Sequence, residues 1–158
     1  MKTTIALVTG GFTGESVISL KSADFVFNNL DKEKFNVYKI VITKTDWFYV
    51  DDNSIKHEVN KNDFSLEIKD EKVTFDCVFI MVHGSPGEDG KLQGYFDMLD
   101  VPYTSCDALT SSITMNKGYS KAVVSEVERL HVAKSVQLFG NKADDVDKIT
   151  SRLKLPYF

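Results

Sequence analysis

The chain has 158 residues, 19 Lys and Arg against 23 Asp and Glu for a formal charge of −4, and is 42% hydrophobic and 27% charged. At about 150 residues per domain this length allows one full domain, or one domain and part of a second, and the composition is that of a folded, soluble chain, which excludes intrinsic disorder. The acidic balance and the lack of clustered Lys and Arg exclude a nucleic-acid partner, because phosphate binding draws its affinity from such clusters.

The first ten residues contain one lysine and an apolar run too short for a signal-peptide core or a membrane span, which predicts a cytoplasmic protein with no membrane partner. Residues 4–9 (TIALVT) read as a strand buried on both faces, bounded by Gly10-Gly11. A helix follows from Glu15, with Leu20, Ala23, Phe27 and Leu30 at helical spacing. A second strand over 37–42 completes a strand-helix-strand unit of the kind that builds parallel sheets. Residues 43–75 are short apolar pieces split by polar turns, the pattern of hairpins or an insertion at a sheet edge.

Residues 77–82 (CVFIMV) form another fully apolar strand ending on His83-Gly84, and a Gly- and acid-rich loop over 85–90 leads into a helix carrying Leu92, Tyr95, Phe96 and Leu99. Residues 101–104 are a short strand or extended connection. Helices are predicted over 108–113 and 117–129, a half-buried strand through Val132, Val136 and Leu138, and a last helix marked by Val146, Ile149 and Leu153. The apolar run over 155–158 reads as the start of a further strand. This predicts a domain over 1–115 and the beginning of a second over 116–158, with a carboxy-terminal edge strand of the first domain as the alternative. Cys77 and Cys106 are expected to be free, buried thiols.

Two segments could carry chemistry. In Gly10-Gly11-Phe12-Thr13-Gly14-Glu15-Ser16 a strand passes through glycines into a helix start, where the backbone can approach a ligand and unpaired N–H groups attract anions. It matches neither GxGxxG nor GxxxxGK[ST]. Glu15 has two readings, a site residue or an acid that favours the helix dipole. The second segment, from His83 to Gly90, lies at the carboxyl end of a strand, where open parallel sheets bind ligands. His57 and His131 lack such a setting and are read as structural or surface residues, and no zinc-ligand spacing is present.

Read in order, these segments resemble the amino-terminal part of the D-alanine-D-alanine ligases. The family's Gly-Gly, Glu and Ser-Leu-x-Ser are matched by Gly10-Gly11, Glu15 and Ser19-Leu20-Lys21-Ser22. Its His-Gly-x-x-Gly-Glu-Asp-Gly-x-Leu-Gln-Gly is matched from His83 to Gly94. Val101-Pro102-Tyr103-Thr104 resembles its Leu-Pro-Tyr-Thr, and the run from Ser112 to Lys117 resembles Ser-x-x-Met-Asp-Lys with Asn116 in place of the Asp.

The resemblance implies an α/β, Rossmann-like (pre-ATP-grasp) three-layer domain with a mostly parallel sheet, followed by the truncated start of an ATP-grasp domain. It implies that Glu15 is the catalytic, substrate-binding acid that takes the ammonium of a first D-alanine, with Ile18 and His83 at the same substrate. Glu88 would orient His83 from behind, and Lys117 would reach nucleotide phosphates. ATP and Mg2+ or Mn2+ would serve the full-length family, with none binding tightly to this chain alone and no metal ligands within it. D-alanine and a second copy of the chain are the implied partners. An isolated chain of this extent is expected to be inactive. A D-alanine-D-lactate ligase fragment and a stand-alone small-molecule binding or regulatory domain are the alternatives.

Overall fold

The computed structural model describes residues 2–137 and 149–154, which fall into two compact units, Met1–Met115 and Asn116–Phe158. In the first, strand β1 (Thr3–Gly10) is buried from Ile5 onward, as a strand covered on both faces must be. It pairs in parallel with β2 (Phe35–Ile42) on one side and with β7 (Cys77–Ile80) on the other. Helix α1 (Ser16–Asn29) makes the crossover and packs on β1. Its fully buried positions are Ser19 and Ala23, an i, i+4 row, and Leu20, expected in the buried stripe, is exposed because it lies a third of a turn from that row.

Between β2 and β7 run β3 (Trp47–Val50), β4 (Lys56–Asn60), β5 (Ser65–Ile68) and β6 (Glu71–Val73). Each pairs antiparallel with its predecessor, giving one sheet ordered β6-β5-β4-β3-β2-β1-β7. The expected mostly parallel sheet therefore holds only around β1. Parallel neighbours need a crossover of about a dozen residues or more, and the turns joining β2 through β6 are far shorter.

Alternate residues of β1 serve the two faces. Ala6 and Val8 join Ile40, Ile42 and Val78 in a core closed by Leu92 and Phe96 of helix α2 (Lys91–Met98) and by Phe64 and Leu66 of the meander. Leu7, fully buried, points to the opposite, α1 side by the pleat of the strand. Helix, sheet and helix thus make three layers. The Phe64 and Phe96 rings meet edge to face at 4.8 Å, an arrangement adding about 0.5–1.5 kcal/mol to simple burial. Tyr103 bridges to Val78 in parallel fashion, and helix α3 (Ala108–Met115) follows, with Asp107 accepting the Thr110 N–H at 2.7 Å.

In the second unit, helix α4 (Lys117–Val124) starts on Asn116, whose Oδ1 accepts the N–H groups of Gly118 and Tyr119. The helix stops at Val124, short of the predicted residue 129. Ser125 turns its hydroxyl back to the Ala122 carbonyl, the following turns are closed by i→i−3 bonds, and Arg129 takes a positive φ of 65°, so the α ladder is not continued. Residues 132–137 form no strand, having no ladder partner among the described residues. Ile149 and Thr150 are helical, while Leu138, Val146 and the run over 155–158 lie outside the described residues. Both cysteines are free. Cys77 is half-buried on β7, and Cys106, expected to be buried, is exposed because it sits in the loop before α3.

Candidate functional site

The parallel pairing of β1 and β7 brings the two glycine-containing segments to the same end of the sheet. Gly10 (φ 94°) packs so closely on the Ile42 carbonyl that a Cβ there would collide with it. Gly11 N–H then donates to that carbonyl at 2.9 Å, and Phe12 N–H donates to the Ser85 carbonyl at 2.9 Å. The first loop is thereby tied on one side to β2 and on the other to the loop after β7.

Glu15 occupies the N-cap position of α1, yet its side chain makes no capping hydrogen bond. Thr13 Oγ1 accepts the Glu15 N–H at 3.3 Å and lies 3.5 Å from its Oε2. The carboxylate rests against Gly84, where a Cβ would collide with Glu15 Oε2 and lie 2.8 Å from Thr13 Oγ1. Gly84 has φ 70° and is buried. Its N–H donates to Glu88 Oε2 at 3.0 Å, and its carbonyl accepts the N–H groups of Gly87 and Glu88. Glu15 and Glu88 therefore both meet Gly84, and two carboxylates gathered at one residue favour a cation nearby.

His83 is held by α1. Its backbone N–H donates to Ser19 Oγ at 2.9 Å, Ser19 Oγ donates to the Glu15 carbonyl at 3.3 Å, and Ser22 Oγ lies 3.3 Å from the imidazole Nε2. The buried Gln93 donates from Nε2 to the Gly87 carbonyl of the loop after β7 at 2.7 Å, and its Oε1 has no partner among the described residues. A cavity of about 210 Å³ opens beside His83, lined also by Val82, Gly87, Glu88 and Ser105.

Of the residues singled out from the sequence, Glu15, His83 and Glu88 converge around Gly84. Ile18 lies one turn beyond Glu15 on the same helix face and is about half exposed. Glu88 bonds the backbone next to His83, and the imidazole itself is held by Ser22. Lys117 belongs to the second unit as the first residue of α4. The described residues contain no group of three or more His, Cys, Asp or Glu able to hold a metal ion. His57 is held by Asp51 and the Glu67 carbonyl in the meander, and His131 is exposed. Sequence reasoning assigned no role to Ser19 or Ser22. For Ser19 the available signal was its place four residues before Ala23, and both serines belong to the matched Ser19-Leu20-Lys21-Ser22 run.

The family profile described as the D-ala D-ala ligase N-terminus matches residues 4–106, a stretch that includes both loops. The chain belongs to this ligase family. It is 39% identical to the D-alanine–D-alanine ligase of Flavobacterium johnsoniae, covering 98% of this chain and 47% of that protein. It is likewise 39% identical to that of Parabacteroides distasonis, over 100% and 48%. The chain spans about half the length of the curated relatives it matches. Among solved structures it is similar to the D-alanine–D-alanine ligase of Aeromonas hydrophila (TM-score 0.73, 25% identity, 98% of this chain and 55% of that one). It is also similar to the D-Ala:D-Ser ligase VanG of Enterococcus faecalis (TM-score 0.69, 30% identity, 79% and 42%). As a member of the ligase family, the chain has its Rossmann-like α/β fold. No helix among the described residues is long and apolar enough to cross a membrane.

Proposed function

We propose that this chain supplies the first-substrate half of an ATP-dependent ligase that joins two D-alanines into D-alanyl-D-alanine for peptidoglycan synthesis in the cytoplasm. The observation that carries the reading is the state of Glu15: a carboxylate at a helix start that caps no helix N–H and rests instead against Gly84, beside His83. Glu15 takes the ammonium of the first D-alanine, and Glu88 adds negative charge while fixing Gly84. His83 bonds the carboxylate end of the amino acid, and Ile18 contributes an apolar wall. With the ammonium anchored, the substrate carboxylate is held in one orientation for phosphoryl transfer, and orientation of this kind lowers the barrier by removing rotational freedom before reaction.

Lys117 is assigned to the nucleotide phosphates. ATP with Mg2+ or Mn2+ supplies the phosphoryl group that activates the substrate carboxylate. No residue of this chain is assigned to the metal, so no step here passes through it. Since the chain spans about half of its relatives' length, it is proposed to bind D-alanine weakly and not to turn over ATP by itself. Association of two copies through this domain is also proposed, supported by the exposed Val17, Leu20 and Phe25 of α1.

The test is an NMR titration of the chain with D-alanine and, separately, L-alanine. D-alanine is expected to move the Glu15, Ile18 and His83 signals, and Glu15→Gln to abolish the response. An unchanged response in Glu15→Gln overturns the assignment, and ADP release by the chain with D-alanine and Mg2+ overturns the inactivity.

A further inference from the structure

Ser22 sits on α1, three residues after Ser19, and its hydroxyl oxygen lies 3.3 Å from His83 Nε2. A serine within a helix ordinarily returns its hydroxyl to the carbonyl one turn back, as Ser19 does to Glu15. Among the described residues, Ser22 Oγ has no such partner and its one hydrogen bond is to the ring. Nδ1 of His83 has no partner there either. A hydroxyl both donates and accepts, whereas a neutral imidazole has one nitrogen of each kind. With no carbonyl among the described residues to take its proton, the Ser22 hydroxyl can direct it to Nε2, which then leaves the ring proton on Nδ1. The hydrogen bond at one ring nitrogen sets the character of the other.

We infer that Ser22 is a positioning residue of the site: it donates to Nε2, fixes the plane of the His83 ring, and holds the neutral imidazole in the Nδ1–H form. The nitrogen left for a ligand is then a donor, suited to an oxygen acceptor such as a carboxylate. Ser19 completes the device from the backbone side. Fully buried, it receives the His83 N–H while bonding the Glu15 carbonyl, so the helix turn that carries the ammonium-binding acid also fixes the residue that faces the other end of the amino acid. The two ends of a small zwitterion are thus referred to one rigid element. This last step rests on the proposed D-alanine site, whereas the assignment of the tautomer does not.

The experiment uses the whole chain labelled with 15N in its histidine rings. Two-bond 15N–1H correlation spectra distinguish the tautomers, and His83→Gln identifies the His83 signals among those of the three histidines. At a pH where the ring is neutral, His83 is expected to show the Nδ1–H pattern. Ser22→Ala is expected to lose that pattern in favour of Nε2–H or an averaged form, and Ser22→Thr, which keeps the hydroxyl, to retain it. A purely structural serine would leave the tautomer unmoved on change to Ala. An Nε2–H pattern in the unmodified chain, or an Nδ1–H pattern that survives Ser22→Ala, overturns the inference. The unmodified chain decides the matter even where Ser22→Ala does not fold. Added D-alanine reads the other question separately: with the Nδ1–H form present but its signal indifferent to D-alanine, the substrate assignment falls and the positioning role stands.

Discussion

The carboxylate of Glu15 lies in the space that a β-carbon on Gly84 would fill, so the acid on the first helix and the glycine after β7 can occupy these positions only because residue 84 has no side chain. Gly84 also has φ 70°, in the left-handed region that costs an L-residue about 1–2 kcal/mol. Gly84→Ala is expected to lower stability by roughly that amount and to expel the Glu15 carboxylate from its place. Denaturant unfolding measures the first effect. The second appears as loss of the D-alanine response in a variant that remains folded, and an unchanged response would show that Glu15 does not need this seat.

Ser19 joins Glu15 and His83 through one buried hydroxyl. Ser19→Ala leaves the His83 N–H without its acceptor, and an unsatisfied buried donor costs about 1–3 kcal/mol. Urea unfolding should show a loss in that range, together with faster amide exchange at His83. Lys21→Ala, an exposed change on the same helix, should move the midpoint little by comparison.

Asn116 stands where the ligase pattern has an aspartate, and its Oδ1 caps α4 by accepting from Gly118 and Tyr119 at 3.1 and 3.2 Å. The capping task needs an oxygen acceptor and not a charge. Asn116→Asp is expected to preserve the helix. Asn116→Ala is expected to cost about 1 kcal/mol of helix stability, read as faster hydrogen exchange at the Gly118 and Tyr119 amides.

Asp51 is one source of acid sensitivity in the meander, beside Asp63, whose carboxyl the Lys72 ammonium also holds low. The Ile55 N–H holds the Asp51 carboxyl below the ordinary 3.8 against the opposing effect of burial, with further support from His57 and the Asn53 N–H. A carboxyl with a depressed folded-state pKa is protonated first in the unfolded chain as pH falls. Its stabilising contribution is therefore full above the ordinary value and is lost as pH drops through the folded one. Asp51→Asn should accordingly be less stable than the unmodified chain at neutral pH, and the gap should narrow below pH 3.8. Urea midpoints measured across that range check it, and a gap independent of pH would contradict it.

Much of the fold could be read from local pattern. The buried β1, the crossover helix and β7 are legible because a strand covered on both faces must be apolar throughout and a crossover helix must follow it. The short pieces within 43–75 were legible as hairpins, and they do pair antiparallel. That they extend the β1 sheet through β2, so that antiparallel pairs outnumber parallel ones, was not, since a short apolar piece does not say which sheet edge it joins. The end of α4 was misplaced because Val127 and Leu130 continue the helical spacing while the backbone turns at Ser125 and Arg129. Spacing alone does not register that turn.

The site divides in the same way. Glycine spacing, the acid at the helix start and the histidine at a strand end belong to contiguous segments, so the sequence by itself determined Glu15, His83 and Glu88 as candidates and, through their order, the family. Whether Glu15 served its own helix or something outside it was open until the tertiary structure put Gly84 against its carboxylate and left the cap unmade. The roles of Ser19 and Ser22 were decided there too. Their partner at His83 is 64 and 61 residues away along the chain, and only the parallel neighbourhood of β1 and β7 brings a hydroxyl on the first helix within hydrogen-bonding reach of that ring.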